Sequence, residues 1–297
     1  MINETKGHLL AIVTMLIWGT TFISTKILLH DFSAIQILYL RFVIGFITLL
    51  VIYPKCLKVK ERKHELTFIM AGLTGICLYY LLENIALIYT NVSNVGIIIS
   101  IAPFFTAILT HLFFKEETKL TIRFFIGFFI ALMGICFINL NGFKFSFHYG
   151  DLLAVMAAFV WAVYSLLTRK ISSYGYHIIL TTRRTFLYGL IFMFPMTFYH
   201  IEFNIDQFFQ LSHLLNFLYL GVGASALCFV TWNFAVKVLG TIKSSVYIYT
   251  VPVITVFTSV IVLKEPLTLT VIIGTVFTLI GLLISQKTIN KGEIKNE

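Results

Sequence analysis

Ten stretches of roughly 20 mainly apolar residues divide this chain, at 8–29, 34–53, 66–88, 92–114, 121–140, 151–171, 177–199, 212–236, 241–263 and 267–286. Each is long enough for a helix to cross a hydrocarbon core about 30 Å thick. In lipid every backbone N–H and C=O must be paired within the protein, so such runs dictate helices. The expected fold is an all-α integral membrane protein of ten transmembrane helices. Composition closes off the alternatives. With 59% apolar and 12% charged residues in 297, no soluble arrangement keeps this much apolar surface from water. A water-soluble enzyme, a disordered chain and a nucleic-acid binder are thereby excluded. The first stretch is too long for a cleavable signal, holds Trp18 and Lys26, and lacks a small-residue cleavage site.

The formal net charge of +9 reads as topology rather than as affinity for an acidic partner. With the N-terminus in the cytoplasm, sixteen of the 22 Lys and Arg fall on that side: Lys6, Lys55, Lys58, Lys60, Arg62, Lys63, Lys115, Lys119, Arg123, Arg169, Lys170, Lys237, Lys243, Lys287, Lys291 and Lys295. Only Lys144 and Lys264 fall outside, while Lys26, Arg41, Arg183 and Arg184 lie within spans. This asymmetry predicts a multi-pass protein of the cell (inner or plasma) membrane with both termini cytoplasmic. The basic loop 54–64 belongs to the same signal. The four cysteines form no C-x-x-C pair and the eight histidines no metal spacing, so neither a metal nor a cofactor is expected.

The chain also repeats itself. At an offset of 143 residues Leu9, Leu10, Ala11, Trp18 and Thr25 meet Leu152, Leu153, Ala154, Trp161 and Thr168, and Arg41 meets Arg184. At an offset of 149, Gly72, Leu78, Asn84, Ala86, Pro103, Thr106, Lys115, Glu116 and Leu120 recur as Gly221, Leu227, Asn233, Ala235, Pro252, Thr255, Lys264, Glu265 and Leu269. Gly127 and Gly134 correspond to Gly274 and Gly281. The units are residues 1–145 and 146–297, each with five spans. An odd number of spans forces the second unit to enter the membrane from the opposite side, and inverted repeats of this kind mark secondary transporters.

The paired LLA…W segments, the stretch SNVGIIISIAPFFTAILTHLFFKE (93–116) and its echo SSVYIYTVPVITVFTSVIVLKEPLT (244–268) resemble the drug/metabolite transporter superfamily, specifically its EamA-like family. The resemblance covers nearly the whole chain. It implies a ten-helix transporter whose central cavity is lined by the first, third and fourth helices of each half, similar to exporters of amino acids, nucleosides and other metabolites.

Several residues at mid-span break the rules of a lipid-facing helix. Trp18 and Trp161 sit near span centres, where an indole N–H needs a cavity or a neighbouring carbonyl. Pro103 and Pro252 interrupt the fourth and ninth spans, freeing carbonyls near Ile99 and Ile248 and marking kinks or gates. Lys26, Arg41 and Glu83 are intramembrane charges. A carboxyl in low-dielectric surroundings is either neutral or held by a cation, here Lys26 or Arg41, and either locks helices together or takes part in transport. Its repeat position holds Trp232, so carboxylate chemistry is confined to one half. Arg183 and Arg184 are expected to snorkel, and Lys264–Glu265 to form an end-of-helix pair. The glycine pairs, two turns apart, permit close helix contact within a monomer or across a homodimer seam.

The substrate site expected from these features joins Trp18, Thr21, Tyr80, Glu83, Asn84, Asn94 and Ser100 to Trp161, Tyr164, Trp232, Asn233 and Tyr247. Aromatic walls with a few amides and hydroxyls suit an amphipathic or zwitterionic small molecule. No Walker sequence or nucleophile elbow is present, so a gradient of protons or a counter-substrate would drive export, and no enzymatic activity is expected. A non-transporting sensor or lipid-modifying enzyme is the alternative, and neither accounts for the repeat.

Overall fold

The apolar runs fold as helices whose ends are set by local chemistry. The computed structural model describes residues 2–113, 121–141, 144–145, 148–197 and 205–286. Lys115, Glu116, Lys119, Leu120, Lys287, Lys291 and Lys295 lie outside these residues. Among the described residues ten long helices follow one another: α1 Ile2–Leu28, α2 Ala34–Ile52, α3 Arg62–Tyr89, α4 Val92–Phe113, α5 Ile122–Ile138, α6 Tyr149–Ser173, α7 Ile178–Thr197, α8 Leu211–Gly240, α9 Lys243–Leu263 and α10 Leu269–Gln286. Seven of them are long and apolar enough to cross a membrane; α5 and α10 are shorter, and α7, with Arg183 and Arg184, is not among the seven. A two-residue β ribbon, Leu140–Asn141 against Lys144–Phe145, leads into α6.

Ser33 starts α2 with a reciprocal cap, its side chain accepting from Gln36 N while Gln36 Oε1 accepts from Ser33 N. Asp151 does similar service for α6, accepting from His148 N at 2.9 Å and from Thr90 Oγ1 at 2.8 Å. Gly240 ends α8 at φ +79°, a conformation that costs an L residue side-chain clashes.

Two regular features are broken in matching places. Both α3 and α8 carry π-helical turns, at Gly72–Leu78 and Tyr219–Leu227. These are repeat positions, and they let glycines approach neighbouring helices. Gly72 faces Tyr188 and Gly189 of α7, while Gly221 faces Ile44 and the Arg41 carbonyl of α2. The second feature is in α4, which stops at Ile99 and resumes at Ala102. Pro103 cannot donate to the Ile99 carbonyl, and Ser100 turns its hydroxyl back to Ile97 O at 2.6 Å. In α9 a 3₁₀ stretch Val246–Thr250 precedes Pro252 in the same way.

The glycines of α5 and α10 face one another within this one chain. A methyl group added at Gly134 would stand 2.6 Å from the Gly274 carbonyl oxygen, and one at Gly274 would stand 2.7 Å from Gly134 O. Gly127 meets Gly281 in the same seam, so the helices run antiparallel and are in backbone contact.

Candidate functional site

The chain's three tryptophans converge, although they lie on α1, α6 and α8. Trp18 meets Trp161 edge-on at 5.3 Å between ring centres and Trp232 at 5.5 Å. Its indole N–H donates to the Ala224 carbonyl in the π-helical turn of α8 at 2.9 Å. The alternatives of cavity wall and packing tryptophan are thus both realised in one side chain.

Beside this cluster is a cavity of about 40 Å³. Its polar edge is Thr21, Tyr79, Tyr80 and Glu83; its apolar walls include Met15, Trp18, Phe22 and Trp161. The floor comes from the broken helices: Ile99 and Ala102 of α4, Ile248 and Val251 of α9. Each is the other's repeat partner. Breaks in the two helices therefore open onto the same space, as irregular backbone inside a membrane protein must.

Glu83 is 1% exposed and Arg41 fully buried. Arg41 stacks its guanidinium over the Tyr80 ring at 4.4 Å and donates through Nε to Ser225 Oγ at 3.1 Å. Arg41 is the cation whose field acts on Glu83, and Tyr79 is the hydroxyl beside it. Among the described residues, however, Glu83 Oε1 and both Arg41 Nη atoms have no hydrogen-bond partner. Acid and base share one buried site without closing on each other. Lys26, the other cation considered for Glu83, is engaged elsewhere, donating to the Leu87 carbonyl.

A second cavity, about 20 Å³, lies one turn further along α6. Tyr164, Thr168 and Ser172 of α6 line it with Thr181 and Thr185 of α7 and Asn233 and Lys237 of α8. It sits at the end of the bundle that holds loop 54–64, because Tyr176 accepts from Lys60 N at 2.9 Å and Tyr174 bonds Thr67 at 2.8 Å. Trp161 and Tyr164, with ring centres 5.2 Å apart, form the partition between the two cavities.

Of the twelve residues singled out from sequence, Trp18, Thr21, Tyr80, Glu83 and Trp161 line the first cavity, and Tyr164 and Asn233 the second. Trp232 backs Trp18 from behind. Asn84 is buried, donating to the Ala34 carbonyl at 3.1 Å. Asn94 lies at the junction of α4 and α6 near Thr90 and Asp151, and Ser100 serves its own helix. Tyr247 is bonded to His8 at 2.6 Å and lines neither cavity. Tyr79, Met15 and Phe22 were not singled out; helical spacing was the available signal, since Tyr79 is one turn from Glu83, and Met15 and Phe22 are each one turn from Trp18.

Two expectations about charges need correcting. Arg184 does not simply snorkel but forms an ion pair with Glu65 at 2.6 Å, and buried Arg183 donates to the Tyr53 and Lys55 carbonyls. Glu265 does not pair with Lys264: it accepts from Val92 N at 2.8 Å and from Ser93 N and Oγ at 3.1 and 2.6 Å, capping α4 from the other half. A carboxylate at a helix N-terminus complements four unpaired N–H groups, which no local sequence pattern could have revealed across 172 residues.

The comparisons with known proteins agree with this architecture. The sequence profile of the EamA-like transporter family matches twice, over residues 5–140 and 148–286. Two proteins of Archaeoglobus fulgidus, each named an uncharacterized transporter, are 28% and 25% identical; both alignments cover 94% of this chain, and 96% and 98% of the relatives. An uncharacterized transporter of Clostridium kluyveri is 26% identical over 96% of this chain and 94% of its own. A solved crystal structure with 18% identity superposes at a TM-score of 0.68 over 97% of this chain and 99% of its own, a likeness of fold. This chain is a membrane protein and belongs to the EamA-like transporter family.

Proposed function

We propose that the protein is a secondary transporter exporting a small amphipathic or zwitterionic metabolite by alternating access. It would cross the cell membrane ten times as two inverted halves, 1–145 and 146–297, with both termini cytoplasmic. The antiparallel glycine seam of α5 and α10 supports the inversion, as does the meeting of repeat partners Trp18 with Trp161 at the central cluster.

The observation that carries the proposal is the buried acid and base left open beside an aromatic cavity. Glu83 offers an unpaired oxygen to an ammonium and Arg41 two unpaired nitrogens to a carboxylate or other anionic group. Trp18, Trp161, Tyr79 and Tyr80 offer ring faces to the apolar part. At about 40 Å³ the cavity has room for roughly three waters and not for a metabolite, so binding must accompany opening. That requirement suits a carrier that rebuilds its site in each cycle.

Proteoliposomes assayed with labelled amino acids, nucleosides and amphipathic amines test this reading. At least one class should show saturable flux, and Glu83→Gln should reduce it at least about tenfold, the equivalent of one lost charged contact of about 1.4 kcal/mol. Folded protein with no flux for any class would overturn transport. Unchanged flux in Glu83→Gln would remove the acid from the site.

A further inference from the structure

The described residues contain few buried side-chain oxygens without a partner, and four of them form a pattern. They are Thr25 Oγ1 and Asn84 Oδ1 in the first half, and Thr168 Oγ1 and Asn233 Oδ1 in the second. Thr25 and Thr168 are repeat partners on α1 and α6; Asn84 and Asn233 are repeat partners on α3 and α8. A buried polar atom without a partner costs about 1–3 kcal/mol. Random loss of that size would not fall twice on the same two positions of a repeat.

In both halves the amide nitrogen is occupied and the oxygen is left over. Asn84 Nδ2 donates to Ala34 O at 3.1 Å, and Asn233 Nδ2 donates to Thr182 Oγ1 at 2.9 Å. Those bonds fix the amide orientation and leave an acceptor. The two pairs differ in access. Thr25 and Asn84 are fully buried. Thr168, 5% exposed, and Asn233 both line the second cavity, with the Tyr164 hydroxyl beside them. That cavity contains no carboxylate; Lys237 is at its exposed rim.

We propose that Thr168 and Asn233, with Tyr164, form a second binding station on the translocation path, between loop 54–64 and the central cavity. It takes a hydrogen-bond-donating head of the substrate, an ammonium group. Asn233 Oδ1 and Thr168 Oγ1 accept from this head before it passes the Trp161–Tyr164 partition toward Glu83. Thr25 and Asn84 form the equivalent station at the opposite end, closed in this structure. The proposal rests on the transport reading above and adds a site to it.

Ser172 lines the same cavity one turn from Thr168, so a cysteine there reports on occupancy. The test uses Ser172→Cys in a chain whose exposed Cys56 and Cys136 are replaced by serine, labelled with a membrane-impermeant thiol reagent. The probes are 2-phenylethylamine and, as its anionic match, 3-phenylpropionate. The amine at about ten times its dissociation constant should slow labelling about tenfold, and the carboxylate should not. Protection should vanish in Thr168→Val and in Asn233→Leu, and remain in Glu83→Gln. Absence of protection by the amine, equal protection by the carboxylate, or protection surviving both station variants would overturn the proposal. Labelling needs no flux, so it decides the station even where wild-type proteoliposomes show no transport and the wider reading fails.

Discussion

Arg41 and Arg184 are the same position in two copies of one repeat, and they have opposite fates. Arg41 is fully buried, stacks on Tyr80 and shares its site with Glu83. Arg184, its side chain about a third exposed, pairs with Glu65 at the other end of the bundle. The partner positions diverge with them: Glu83 in one half is Trp232 in the other. The scaffold of the halves is thus duplicated while the chemistry is concentrated in the first. A symmetric frame supplies the breaks, the glycine seams and the convergence of helices; Glu83, with the hydroxyls of Thr21, Tyr79 and Tyr80, supplies the polarity of the central cavity.

The sharpest way to break that contrast is to remove each arginine. Arg41→Met leaves Glu83 buried without its cation, a change that costs on the order of 3–5 kcal/mol. Arg184→Met loses one partly exposed pair. Thermal unfolding in detergent should therefore show a large fall for the first and little for the second. Adding Glu83→Gln to Arg41→Met should recover much of the loss, since no uncompensated charge remains. Equal falls for the two arginines would erase the distinction between the halves.

Where the halves are alike, their variants should be alike. Gly134→Ala and Gly274→Ala each push a methyl group against the opposite backbone, and overpacking of this kind costs about 1–3 kcal/mol. The two should lower the unfolding temperature by similar amounts. Gly223→Ala is the control, because the nearest atom to an added methyl is 3.8 Å away. A large difference between Gly134→Ala and Gly274→Ala would show that the seam is less symmetric than its geometry.

The sequence disclosed the parts of this molecule that repeat or that offend against lipid. Apolar length located the helices to within a few residues. The repeat paired Trp18 with Trp161 and Pro103 with Pro252; the structure puts the two tryptophans in contact and opens the helix breaks beside the two prolines onto one cavity. Misplaced residues such as Glu83 and Arg41 were visible because a charge within an apolar run is conspicuous. What stayed hidden was direction around the helix axis. Asn94 and Ser100 have the right depth for the cavity but point to the α6 junction and to their own backbone. Tyr247 is one residue from Ile248, which lines the cavity, yet it bonds His8 instead. Contacts made across the halves were hidden as well. Glu265 caps α4, and Glu65 holds Arg184, because helices distant in sequence meet, which periodicity within one segment does not encode.

A smaller test concerns the two asparagines. Asn84→Leu and Asn233→Leu each delete one donated hydrogen bond, to Ala34 O and Thr182 Oγ1, worth about 1 kcal/mol. Their stability costs should be of that order, the greater for Asn84, which is fully buried where Asn233 is partly exposed. Their effects on amine protection at Ser172→Cys should not match, since only Asn233 lines that cavity.

The smallest expected effect comes from the Arg184–Glu65 pair itself. The two side chains are 32% and 24% exposed, so solvent screens their attraction, and pairs of this kind contribute about 0–1 kcal/mol. A double-mutant cycle of Arg184→Met and Glu65→Gln should give a coupling in that range, and it should shrink at high salt. Tyr188 complicates the cycle because its hydroxyl also donates to Glu65, so the single Glu65→Gln variant will cost more than Arg184→Met alone. The same cycle on Arg41 and Glu83, shielded from solvent, should give a larger coupling that salt leaves unchanged. If salt weakened both couplings equally, solvent would have to reach the central site, and the contrast between a buried and a surface arginine would be lost.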